Sequence, residues 1–354
     1  MIRHWVLRFS LLLAAVPASA QIFAPLNQTY TDKKLADLWK RLSIAKPDSN
    51  RVFLLLSMTD AYLKANLPDS ALTYSDQSAQ LALNLGMHEE VLQSRFLACR
   101  ANCLKDDIGQ AGKIAANTTG TWKMRMLQEI SEHYSFRPGN LSPNLDTAWR
   151  YIQQLVALTD TMHSMAATQN TRAVLGKYYY ERGNLARGME CFRQNIREWH
   201  QLGNLEQEAH WWSELGIYTP GYAGTIDTIL QAVLKARELF DRAGNKKQAL
   251  FSLSDIAEWH WLMGRFELAE KEQQQVDDQL PLLGQLKMYN QYYRMANYEL
   301  YLGNHNLALQ LILKAKKNMD SVQEDRSAGK LDKCLANIYW LENDIGQSLY
   351  WNRV

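Results

Sequence analysis

Along this chain apolar residues recur at separations of three and four, and alternating runs rich in β-branched residues are absent, so the pattern predicts helices throughout. The clearest stretch is TQNTRAVLGKYYYERGNLARGMECFRQNIREWHQLGN, where Leu175, Gly176 and Tyr179 belong to one helix and Gly188 and Phe192 to the next. Gly183 marks the turn, since it adopts positive φ without a Cβ penalty, and Asn184 is placed to cap the following helix. The turn signal returns at Met263-Gly264, Leu302-Gly303 and Glu342-Asn343, each time behind a helix rich in Tyr or Trp. Taking the small residue in the middle of each first helix as a ruler gives Thr59, Cys99, Ser131, Gly176, Gly216, Ala257, Ala296 and Ala336. The last four steps are 40, 41, 39 and 40 residues, a period that fits one helix pair with its loops. Gly176 and Gly188 lie inside helices, where glycine costs about 1 kcal/mol relative to alanine, so close approach of two backbones is their expected use.

These residues resemble the tetratricopeptide repeat family in a form of roughly 40 residues. Trp212, Leu215 and Gly216 match the first helix of the family pattern in one repeat, and Ala257, Gly264 and Ala269 match the next repeat. Ala296, Gly303, Ala308 and Ala315 follow, Ala336 and Tyr339 open the last repeat, and Tyr62, Ala71 and Ala111 fit in the first half. The departures are Ser348 and Cys99 at small-residue positions, and Asn66, Asp106 and Asn343 in place of the turn glycine. The resemblance implies an all-α fold, a right-handed superhelical solenoid of antiparallel helix pairs with about sixteen helices. The repeat domain spans residues 48–354, behind a lead-in helix within 21–47. Two breaks interrupt it, an irregular loop near 135–145 with Pro138 and Pro143, and YTPGYAGT at Tyr218–Thr225.

The first twenty residues read as an export signal, with Arg3 and Arg8 ahead of an apolar run from Phe9 to Val16 and with small residues at Ala18 and Ala20. Cleavage before Gln21 removes two of the 39 Lys+Arg and none of the 37 Asp+Glu, leaving a chain of no net formal charge. A neutral chain without a basic block argues against nucleic acid or an anionic membrane surface as partner. The expected location is the periplasm or the exterior, and after Gln21 no run of 18 apolar residues would insert in a membrane. The four cysteines, Cys99, Cys103, Cys191 and Cys334, are too few for a disulfide framework, and the i,i+4 spacing of the first two is poor disulfide geometry, so they are expected to be small packing residues.

The last helix, beginning near Ile345, is short for the end of an open stack, which implies continuation past Val354. The export signal and the repeats together resemble extracytoplasmic sensor regions of Bacteroidetes-type proteins. That likeness implies, as an alternative, a downstream membrane helix with a histidine kinase or transcription-regulator module.

Catalytic patterns are missing from the sequence. Gly203-Asn204, Gly244-Asn245 and Gly303-Asn304 are turns without the Lys-Ser/Thr that follows a phosphate-binding loop, and no HExxH, G-x-S-x-G or Asp-rich calcium loop occurs. Asp255, Glu258 and His260 share a helix but lack a nucleophile, so no enzyme, cofactor or metal is expected. The expected function is a non-enzymatic scaffold for a protein or peptide. Counting the second, fifth, ninth and twelfth residues of the first helices places Lys177, Tyr180, His210, Ser213, Ser254, Glu258, Trp261, Tyr293, Asn297 and Lys333 along a concave groove. Tyr180, Trp261 and Tyr293 are the expected exposed aromatic anchors.

Overall fold

The computed structural model describes residues 28–137, 142–222, 224–283, 290–321 and 328–353, which are helical apart from short links. The lead-in helix α1 (Gln28–Ile44) is followed by eight antiparallel pairs, each a helix A and a helix B. They are α2 (Ser49–Lys64) with α3 (Pro68–Asn84), α4 (His88–Leu104) with α5 (Ile108–Ala116), α6 (Gly120–Ser135) with α7 (Ser142–Met162) and α8 (Met165–Glu181) with α9 (Leu185–Gln201). The series continues with α10 (Leu205–Tyr218) and α11 (Ile226–Arg242), α12 (Lys246–Leu262) and α13 (Phe266–Gln279), α14 (Asn290–Leu302) and α15 (His305–Ser321), then α16 (Ala328–Leu341) and α17 (Ile345–Arg353). The chain is therefore all-α and tetratricopeptide-like, and no strand occurs among the described residues. These residues fall into two compact units that part within α9, residues 28–191 and 192–353. The proposed export segment, residues 1–20, lies outside the described residues, as do 138–141 of the irregular loop.

The helix turns show why Gly-Asn recurs in the sequence. Gly183 has φ +73°, its N–H donates to the Tyr180 carbonyl at 2.9 Å, and the Asn184 N–H donates to Tyr179 at 2.8 Å. This double closure satisfies carbonyls that the helix end leaves open, while Asn184 Oδ1 accepts from the Arg187 N–H at 3.2 Å to start α9. Asn66, Asp106 and Asn343 stand in for glycine with φ of 56°, 63° and 60°, and each is followed by the same pair of closing bonds. Asn and Asp tolerate this left-handed region better than other non-glycine residues, so the turn survives the replacement.

All eight ruler residues occupy the middle of an A helix and all are buried. Small side chains there let the helices come close. At Gly216 an added Cβ would lie 2.7 Å from Val233 Cγ1 of α11. Gly188 has a different neighbour from the one its spacing suggested, because the ring of Tyr180, not a second glycine, occupies the space that a Cβ would need. On the B helices Ala71, Ala111, Ala269, Ala308 and Ser348 are buried as well. Cys99, Cys103 and Cys334 are buried free thiols, as packing residues should be, whereas Cys191 is partly exposed. Burial pushes the Cys191 thiol up to about 11 and that of Cys334 to about 12. Among the described residues no helix is long and apolar enough to cross a membrane.

Candidate partner-binding face

The ruler also fixes which A-helix positions stay open. The residue immediately after it is Asp60, Arg100, Glu132 and Lys177 in the first unit and Ile217, Glu258, Asn297 and Asn337 in the second, and none of the eight is buried. Position +1 of the A helices is thus left unburied in each unit. Position −2, one turn earlier, carries the partners. Arg100 Nε lies 3.0 Å from Glu129 Oε1, Arg294 Nη2 lies 2.7 Å from Glu258 Oε2, and the Cys334 thiol points to Asn297 Oδ1 at 3.9 Å. In each case +1 of one A helix meets −2 of the next, a diagonal that sequence separation alone conceals because the ruler steps vary.

In the first unit this face is tied together by ion pairs. Lys177 Nζ reaches Glu132 Oε1 at 3.1 Å, and Arg100 holds Glu129, so its lysine and arginine in the +1 column are engaged between repeats. In the second unit Arg294 serves two carboxylates, Glu258 at 2.7 Å and Asp255 at 3.7 Å. Burial pushes the Asp255 carboxyl up to about 6 and that of Glu258 to about 7. Arg294 opposes the rise at both, and the charge of Asp255 adds to it at Glu258. The A helices of this unit also carry exposed apolar side chains. Ile217 is 57% exposed and Tyr301 58% exposed, and Leu262 is half-buried.

The ten positions singled out by counting along the A helices divide between face and core. His210, Asn297 and Lys333 are exposed, while Lys177, Ser213, Glu258 and Tyr293 are half-buried. His210 sits edge-on to Trp211, with ring centroids 5.3 Å apart. Asn297 Nδ2 donates to the Tyr293 carbonyl at 2.9 Å, and burial raises the Tyr293 hydroxyl above its ordinary value. The other three are corrections. Tyr180 is buried against Gly188, and Ser254 is buried and donates to Gln273 Oε1 at 2.9 Å. Trp261 is only 1% exposed, with its indole N–H donating to Glu299 Oε1 at 2.7 Å. Tyr180 and Trp261 at +4, and Ser254 at −3, turn toward neighbouring helices, whereas Ser213, Tyr293 and Lys333 at the same −3 position are not buried.

Arg294 was missed as a face residue, and Asp255, which the sequence reads as a groove or solvated residue, is not among the ten counted positions. The signal for Arg294 is its charge at −2, opposite to Glu258 at +1 of the preceding A helix, legible once the ruler is used as the origin. His260 does not join Asp255 and Glu258. It is buried with Nδ1 2.7 Å from Glu272 Oε2 of α13, so the apparent acid–base group on α12 is split between two sides of the helix. On the other side of the pairs an open depression of about 360 Å³ is lined by Glu267, Glu270, Lys271, Gln274, Tyr292 and Lys314. Lys314 Nζ lies 3.4 Å from Glu270 within it, and its mixed charges define no ligand class.

No protein-family model matches the sequence, and no curated protein sequence matches it. Solved structures of similar outline include aspartyl phosphate phosphatase F from Bacillus subtilis, 11% identical with a TM-score of 0.47 over 95% of this chain and 93% of that one. A Rap protein complexed with competence and sporulation factor is 10% identical, with a TM-score of 0.46 over 86% of this chain and 96% of that one. A signal transduction ATPase with a tetratricopeptide repeat sensor, from Pyrococcus horikoshii, is 13% identical with a TM-score of 0.45, over 94% of this chain and 54% of that one. At these identities and TM-scores the likenesses carry no argument about what this chain binds.

Proposed function

We propose that this chain is a non-enzymatic repeat scaffold that binds a protein or peptide along its A-helix face, outside the cytoplasm. The observation that carries the reading is the +1 position, unburied on each of the eight described A helices although the ruler residue beside it is buried on every one. Helix pairs that spend their small residues on packing and leave one column free present a surface whose side chains vary without disturbing the stack. In the second unit that surface offers exposed apolar area beside charged and amide groups, the mixture that anchors and orients a polypeptide. Support for export comes from Arg3, Arg8, the apolar run and the small residues at Ala18 and Ala20.

A photo-crosslinking residue placed at Asn297 tests the reading against the same residue at Leu313, which is 46% exposed on the B helix α15. The protein is recovered from the envelope and medium of the cells that make it. The expected result is a discrete adduct from position 297 alone, on protein beginning at Gln21. Adducts of equal yield from both positions, or from 313 alone, would remove the A-helix face as the binding surface, and an intact Met1–Ala20 would remove export.

A further inference from the structure

Asn66, Asp106 and Asn343 replace the turn glycine, and all three have positive φ. The side chains of Asn66 and Asn343 make no hydrogen bond among the described residues, so at those turns the residue does no more than tolerate the conformation. Asp106 is different. Its Oδ1 accepts from the Tyr134 hydroxyl at 2.7 Å and from Arg137 Nη1 at 2.9 Å, and its Oδ2 accepts from Arg137 Nη2 at 3.1 Å. Tyr134 is buried in the core of the first unit, so its hydroxyl needs an acceptor where the ring reaches the surface. The Arg137 guanidinium also lies over that ring, 5.4 Å from its centroid, and Nη1 extends to Asn144 Oδ1 of α7 at 3.3 Å. The Tyr134 hydroxyl, with the guanidinium behind it, holds the Asp106 carboxyl below its ordinary value. An exposed ion pair alone is worth little, but a two-pronged guanidinium contact that also closes a buried phenol is held in one geometry.

These bonds run from the turn behind α4 to the end of α6, the next A helix, and they complete a series along that junction. Near the start of the two helices Glu89 Oε1 accepts from the Trp122 indole N–H at 3.0 Å, and midway Arg100 meets Glu129. On the B side the second pair contributes only α5, with its nine residues. We infer that Asp106 is a strap, kept at the left-handed turn in place of glycine so that its carboxylate fastens the third helix pair to the second along the A helices. Opening at the short α5 then leaves the A-helix side of the junction closed.

Hydrogen exchange read by mass spectrometry on the whole chain, together with thermal melts, tests the strap. In the natural chain the amides of residues 130–137 are expected to exchange more slowly than those of α5. Asp106→Gly removes the strap while supplying the residue best suited to the turn. Protection at 130–137 should then fall by about tenfold, the factor that one charge-assisted hydrogen bond is worth. The thermal midpoint should drop by about 2 °C or more, whereas Asn66→Gly and Asn343→Gly should leave it unchanged or raised. Arg137→Gln is the second arm, at a partly exposed site away from the turn, and should reproduce the loss at 130–137. Joined to Asp106→Asn, it should cost less than the two changes made separately, because both break the same contact. A midpoint for D106G at or above that of the natural chain would show that Asp106 only tolerates its turn. Unaltered protection at 130–137 in R137Q, or fully additive losses in the double variant, would overturn the inference as well.

Discussion

Trp261 and Trp340 stand at the same place in their repeats, four residues after Ala257 and Ala336, yet one is 1% exposed and the other 64%. Trp261 is enclosed because the next A helix, α14, brings Glu299 to its indole N–H, and Phe266 of α13 meets its ring edge-on with centroids 5.0 Å apart. Trp340 lies on α16, the last A helix described, and has no such neighbour over it among the described residues. The same residue type in the same register is thus core in one repeat and surface in another. In a stack of helix pairs, burial is a property of the junction between pairs, and each pair is completed by the one that follows.

The largest effect expected from this contrast is at Trp261. Replacing it with Ala removes a fully buried aromatic and leaves Glu299 without its indole donor, so a loss of about 3–5 kcal/mol is expected from urea unfolding followed by circular dichroism. A cost below about 1 kcal/mol would mean that the junction between α12 and α14 does not depend on this ring. A second, intermediate effect concerns Glu258 at the same junction, which shares Arg294 with Asp255. Its carboxyl moves from 4.5 to about 7 in the folded chain, and that of Asp255 from 3.8 to about 6.

Groups whose pKa is raised by folding hold their protons more tightly in the native state. Their stabilising contribution is complete below about pH 4 and is lost as pH rises through 6 and 7. Glu258→Gln should therefore raise stability at pH 8 by about 1–2 kcal/mol, a pKa unit being worth about 1.4 kcal/mol, and should change little at pH 4. The side chain keeps 17% exposure to water, which holds the gain below the full conversion. Thermal melts across that range decide it, and lower stability of E258Q at pH 8 would show that the Arg294 pair outweighs the burial penalty. The smallest effect is at the other tryptophan. Trp340→Ala should alter stability by less than about 0.5 kcal/mol, as surface substitutions do, and a loss approaching that of W261A would abolish the comparison.

Much of the fold was legible in the sequence because its signals are local. Gly183 with Asn184, and Asn343 with Asp344, close one helix and open the next using bonds made within a few residues, so turn residues and helix periodicity are enough to place them. The ruler from Thr59 to Ala336 was legible because close helix contact demands a small side chain at a repeating position. The free face was not, because it depends on how far each pair is rotated and shifted against the next. That arrangement decides that Glu258 and Asn297 remain accessible while Ser254 and Trp261, on nearly the same stripe of α12, are covered by α13 and α14. Arg294 was overlooked for the same reason, since its role appears only when α12 and α14 are seen together.

The brevity of α5 bears on how the first unit opens and closes in time. With nine residues it is about half the length of the B helices α3 and α7, and the chain turns back into α6 after only Asn117, Thr118 and Thr119. α6 rests on α4 as well as on α5. Opening in such an array spreads from rung to rung, and a short rung exposes its amides without requiring its neighbours to melt. Deuterium should therefore enter the backbone of α5 well before that of α3 or α7, marking residues 108–116 as the place where the two sides of this unit fluctuate independently.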